Sequence, residues 1–107
     1  MTDYPALPKV VDSSGGPVRV RLVKRPRDYD DPKHRPRKTP CWGTYSASRR
    51  LIEIDCRAPR AFQWLTLFHE WTHAALMDSG VAEILRSRKH EAVCESIATA
   101  RMRERFG

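Results

Sequence analysis

Residues 66–76 read TLFHEWTHAAL, and their periodicity decides the fold. Three ionisable side chains, His69, Glu70 and His73, stand in a run that is otherwise uncharged. Burying such groups costs free energy unless a partner satisfies each one. Apolar residues recur around them at Phe62, Leu65, Phe68 and Leu76, which is helical spacing. Pro59 suits the first turn, where its missing N–H costs nothing, and Gly80 suits the left-handed position just past the end. On such a helix His69 and His73 project from one face, one turn apart. Two imidazoles so placed can grip one cation. Glu70 lies about 100° around the axis, beside that cation without ligating it.

The pattern is H-E-x-x-H, the arrangement of zinc peptidases. Zinc suits two imidazoles and a carboxylate, with a fourth position left for water. It brings the pKa of that water toward about 7. Glu70 is then placed to take a proton as the water attacks a peptide carbonyl, and to pass it to the leaving amine. At average residue frequencies the pattern arises by chance in roughly one in a few hundred chains of this size. The expectation is one Zn2+ per chain and hydrolysis of peptide bonds by a metal-activated water, with Glu70 as general base.

A catalytic zinc needs a third protein ligand. The extended metzincin pattern would place Gly and His at positions that here hold Leu76 and Ser79, so that arrangement is excluded. A second helix, EAVCESIATARMRERF (91–106), offers Glu91 and Glu95, one turn apart on one face. Glu91 can reach the metal while Glu95 hydrogen-bonds the far nitrogen of a liganding histidine, fixing its tautomer. His90 is the rival third ligand. Cys94, roughly on the side of Glu91, would close the site to water if it ligated too. Val93, Ile97 and Ala100 supply the apolar stripe expected to pack this helix, and Arg101, Arg103 and Arg105 suit the negative end of its dipole.

Upstream, PVRVRLVK (17–24) alternates apolar and basic residues, as a strand does. CWGTYSASRRLIEID (41–55) reads as a hairpin turning at Ser48 and Arg49, with Ile52 and Ile54 on one face and Glu53 and Asp55 on the other. Between them the Pro-rich basic stretch 25–40 reads as a long exposed loop. Residues 1–16, with two prolines and SSGG, read as a flexible N-terminal leader. The fold class expected is therefore α+β: a small antiparallel sheet (strand plus hairpin) packed on two main helices, in one domain over 17–107.

At this point the chain resembles the gluzincins, which take the third ligand from a Glu on a later helix, with an acidic residue four further on. More closely, the I-x-I-D strand, TLFHEWTHAAL and E-A-V-C-E-x-I-A together look like the small ImmA/IrrE-type and phage-encoded zinc metallopeptidases, over roughly residues 41–100. The resemblance implies a minimal zincin-like fold, His69, His73 and Glu91 as ligands, and Glu70 as catalytic base. It also implies that RLIEID or its hairpin partner forms the rim of the cleft and pairs with an extended substrate peptide. SprT-like proteases, which act on DNA-bound proteins, use a third histidine at a similar distance; by that likeness His90 would ligate. An oxyanion stabiliser is usual in such enzymes, and Tyr45 and His34 are candidates by residue type.

Bulk properties bound the rest. No run approaches the roughly 20 apolar residues of a membrane span, and the mean hydropathy is −0.62. With no secretory signature, a cytoplasmic placement and reduced thiols at Cys41, Cys56 and Cys94 are expected, although Cys41 and Cys56 would face each other across the hairpin. The net charge of +7 is concentrated in the basic region 19–50. That region suits nucleic acid or an acidic protein, but few aromatics interleave its cations, so nucleic-acid binding is open and not indicated. The partner expected is a protein or peptide substrate. A basic DNA-associated protease, or a regulatory module with a purely structural zinc, is the alternative.

Overall fold

The computed structural model describes residues 4–27, 42–85 and 87–107. The chain forms β1 (Val10–Ser13), β2 (Gly16–Val23), β3 (Gly43–Ser46), β4 (Leu51–Asp55), α1 (Arg60–Asp78), a short 3-10 turn (Val81–Glu83) and α2 (Ser87–Phe106). It is an α+β fold in which two main helices pack on one four-stranded sheet of order β1-β2-β4-β3.

The sheet is mixed, where a purely antiparallel one was expected. β3 and β4 form the hairpin, but β4 then lies parallel to β2, with Val20 opposite Ile52 and Leu22 opposite Ile54. A parallel pair needs a crossover of a dozen or more residues, and residues 24–42 supply that length. β4 takes one of the two interior places, between β2 and β3, and its five residues are all buried.

The stretch read as a leader, 1–16, contains β1. It pairs with β2 from Val10–Arg19 to Ser13–Gly16 across a two-residue turn. Val10 and Val11, then SSGG, then the alternating PVRVRLV are in fact a hairpin signature. Gly16 takes φ 119°, a conformation that favours glycine. Further upstream, the Tyr4 ring meets Phe106 edge-on, 4.9 Å between centroids.

One face of the sheet (Val11, Val18, Val20, Ile52, Ile54) meets Trp64, Leu67, Phe68 and Ala74 of α1 and Ala98 of α2. Burying each large aliphatic contributes roughly 1.5–3 kcal/mol, so Leu67→Ala would cost about 2–5 kcal/mol. On the other face the charged side chains of β4 are buried and paired. Glu53 accepts from Arg21 Nη2 at 2.9 Å and from Arg27 N–H at 3.1 Å. Asp55 accepts from the Arg57 backbone and guanidinium.

α1 begins after Pro59 and ends at Ser79, with Gly80 left-handed at φ 80°. α2 is rotated from the expected stripe. Among its described residues Cys94 and Ala98 are fully buried, whereas Val93 and Ile97 are half-buried and Ala100 is exposed. Small side chains let two helices approach closely, and the larger Met102 and Phe106 continue that row into the core. Among the described residues no helix is long and apolar enough to cross a membrane.

A cluster of polar contacts ties the far ends together. Arg50, at φ 47° in the β3–β4 turn, donates to both Asp78 carboxylate oxygens at 2.8 and 2.9 Å and to Gly16 O at 2.9 Å. Asp78 also accepts from the Ser13 hydroxyl and from Gly15 N–H. Two hairpin turns and the end of α1 are thus joined at one carboxylate.

Candidate metal centre

Helix α1 presents its site face as a row at helical spacing: Phe62, Leu65 and Thr66, His69, His73, Met77. These line a cleft of about 350 Å³ with Glu70, with Trp42, Gly43 and Tyr45 from the β3 side, and with Glu91 and Glu95 from α2. Gly43 is required there. A Cβ at this position would run into the Thr66 methyl and lie 3.0 Å from Glu53 O. Glycine lets β3 lie flush on α1.

His69 Nε2 and His73 Nε2 are 3.1 Å apart. The Glu91 carboxylate spans them, Oε2 at 3.1 Å from His69 Nε2 and Oε1 at 3.1 Å from His73 Nε2. The outer ring nitrogens are held separately. His69 Nδ1 meets Glu95 Oε1 at 3.0 Å, and His73 Nδ1 meets His90 Nε2 at 2.9 Å. If the Nδ1 protons point outward to these two partners, both Nε2 atoms present lone pairs. Four lone-pair atoms then converge within hydrogen-bond distance and repel one another unless a cation lies among them. Tetrahedral zinc with bonds of 2.0–2.1 Å sets its ligand atoms about 3.3 Å apart, close to the 3.1 Å seen here. The donor set fits zinc.

Comparison with protein-family models, with curated proteins and with solved structures returns no match. The geometry of the centre therefore stands on its own residues.

Electrostatics agree with that chemistry. Burial pushes His73 down to about 4, against the pull of Glu91 and with a further push from His69 and His90. The ring is neutral at pH 7, the form that ligates. Cys94 is fully buried, and burial, with repulsion from Glu91, Glu70 and Glu95, pushes its thiol up to about 12. Glu70 is buried at 8% exposure on the same helix, and donor atoms of His69, Glu70 and His73 lie within 4.8 Å of one another.

The structure thus brings His69, His73, Glu70, Glu91 and Glu95 together where the spacing placed them. His90 is nearby but touches the outer nitrogen of His73, away from the paired Nε2 atoms. Of the two strands expected at the rim, β3 lines the cleft, while β4 is enclosed between β2 and β3. Tyr45 stands on the cleft wall. His34 and Cys41 lie outside the described residues, as does most of the stretch 25–40. Sequence reasoning missed His90 as a partner for His73, and it missed Trp42 and Phe62 on the cleft wall. The signal for Phe62 was present, since it lies seven residues before His69 and so on the same face.

Proposed function

We propose that the chain is a zinc-dependent metallopeptidase that hydrolyses peptide bonds. The observation that carries this is the convergence of His69 Nε2, His73 Nε2 and the Glu91 carboxylate from two helices, at 3.1 Å separations. Zinc held by these three residues would polarise the scissile carbonyl and acidify a water. Glu70 takes the proton released as the water oxygen bonds to the carbonyl carbon, and returns it to the nitrogen when the C–N bond breaks. Glu95 and His90 keep the two rings oriented. Tyr45, on the opposite wall, carries a phenolic O–H of the kind that stabilises a developing oxyanion. The likeness to ImmA/IrrE-type peptidases supports the same roles, and a cytoplasmic site of action goes with it.

The test is elemental analysis of the purified protein together with cleavage assays. Zinc at one per chain, lost in His69→Ala and His73→Ala, supports the proposal. A protein that neither carries nor takes up zinc overturns it.

One observation favours a second function, a regulatory module with structural zinc. Donor atoms of His73, His90 and Cys94 also lie within 4.8 Å of one another. A structural site is closed by protein ligands, so Cys94→Ser would then release the metal. In the peptidase it does not. A DNA-associated role draws less support, because Arg21 and Arg50 of the basic region are engaged by Glu53 and Asp78.

A further inference from the structure

We infer that Trp42 and Phe62 form an apolar subsite that selects extended peptides bearing a large apolar or aromatic side chain about three residues from the bond cut. The inference rests on the peptidase proposal for its substrate class. The two rings stack with 13° between planes and 6.1 Å between centroids. They remain 51% and 48% exposed, and both line the cleft that holds the histidine pair. Among the described residues, Trp42, Gly43, Phe62, Leu65 and Thr66 line this flank of the cleft, and none is charged. An uncharged flank beside a carboxylate-rich centre offers a substrate one polar anchor and one apolar anchor.

The platform is built into the fold. Trp42 O accepts the Asp55 N–H at 2.7 Å, and Gly43 follows in register with Ile54. The missing side chain at Gly43 lets β3 lie against Thr66, which delivers the indole over Phe62. Along α1, Phe62 precedes His69 by seven residues, two turns on the same face, or about 10.5 Å. An extended peptide rises about 3.3 Å per residue, so that span corresponds to about three residues. A ring or branched aliphatic laid on the pair covers surface that water now wets, as aromatic anchors do at interfaces.

The experiment uses zinc-loaded Glu70→Gln protein, which binds without turnover, and labelled peptides of Ala, Ser and Gly carrying one Phe at successive positions. Fluorescence anisotropy should show the Phe peptides binding about tenfold or more tighter than the Phe-free host. Trp42→Ala and Phe62→Ala should erase that preference while zinc stays at one per chain. Both side chains are half-exposed, so neither change empties the core. Equal binding of all peptides, no binding up to about 1 mM, or a preference that survives both substitutions overturns the subsite. The wild-type protein is incubated with the same peptides. Cuts about three bonds from Phe support the inference, and cuts made without regard to Phe overturn it while the peptidase proposal stands. Phe-selective binding with no cleavage leaves the subsite standing and overturns the peptidase proposal.

Discussion

Glu95 Oε1 lies 3.0 Å from Nδ1 of His69, on the far side of the ring from the Nε2 that faces Glu91. One helix therefore grips this imidazole from both ends with two carboxylates a single turn apart. His90 does the same for the outer nitrogen of His73. The orientation of each ring is set by contacts within the chain.

Glu95→Gln and His90→Ala should each weaken zinc binding by about 10–100-fold without unfolding the protein. Competition with a chromogenic chelator measures this. An unchanged affinity in both variants would mean that neither residue supports a ligand.

Glu70→Gln should keep zinc at one per chain and lower the cleavage rate by about 10²–10⁴-fold. The amide is close in size and keeps the buried volume filled, so the melting temperature should move little. A variant that cleaves as fast as the parent removes Glu70 from the chemistry.

The His73 ring titrates near 6.5 in an unfolded chain and at about 4 in the fold, mainly because it is buried. Between those values the unfolded state binds the extra proton, so stability rises with pH. The contribution is fully present above about 6.5 and is lost as pH falls toward about 4. Urea midpoints of the chelator-treated protein across this range should decline with acidification, and His73→Asn should flatten the decline. In the zinc-loaded protein, protons compete for the same nitrogen, so metal release should begin in that window.

Arg50→Ala should loosen the junction of the two hairpin turns with α1. It removes a two-pronged ion pair with Asp78 and leaves that carboxylate, among the described residues, its Ser13 and Gly15 donors. Both side chains are partly exposed, so the loss is about 1–2 kcal/mol, or a fall of about 4–15 °C in melting temperature. Arg50 foremost, then Ser13, holds Asp78 below the usual carboxylate range. A carboxyl depressed in this way stabilises the fold fully above its unfolded pKa of about 3.9, and the contribution is lost progressively as pH falls from there through the lower folded-state value. Asp78→Asn should reproduce the Arg50→Ala loss at pH 7, and the two variants should converge with the parent at low pH. Thermal melts in a series from pH 7 downward through the acid range follow that convergence.

Much of the centre was legible in the chain. The i, i+4 spacing of His69 and His73, and of Glu91 and Glu95, fixes which side chains share a helix face, because helical geometry is local. Pro59 and Gly80 marked the helix ends for the same reason, and the hairpin over 43–55 followed from alternation around a small polar turn. Which nitrogen His90 approaches was not legible, because that depends on the rotation of α2 about its own axis. Its rotation follows from the close approach that Cys94 and Ala98 permit against α1, and not from the stripe of larger residues at Val93 and Ile97. The parallel pairing of β2 with β4, the strand at Val10–Ser13 and the meeting of Arg50 with Asp78 were likewise decided only in three dimensions. Each joins segments distant in the chain, and such contacts are selected by the summed burial and hydrogen bonding of the whole fold. Local periodicity carries no record of that sum.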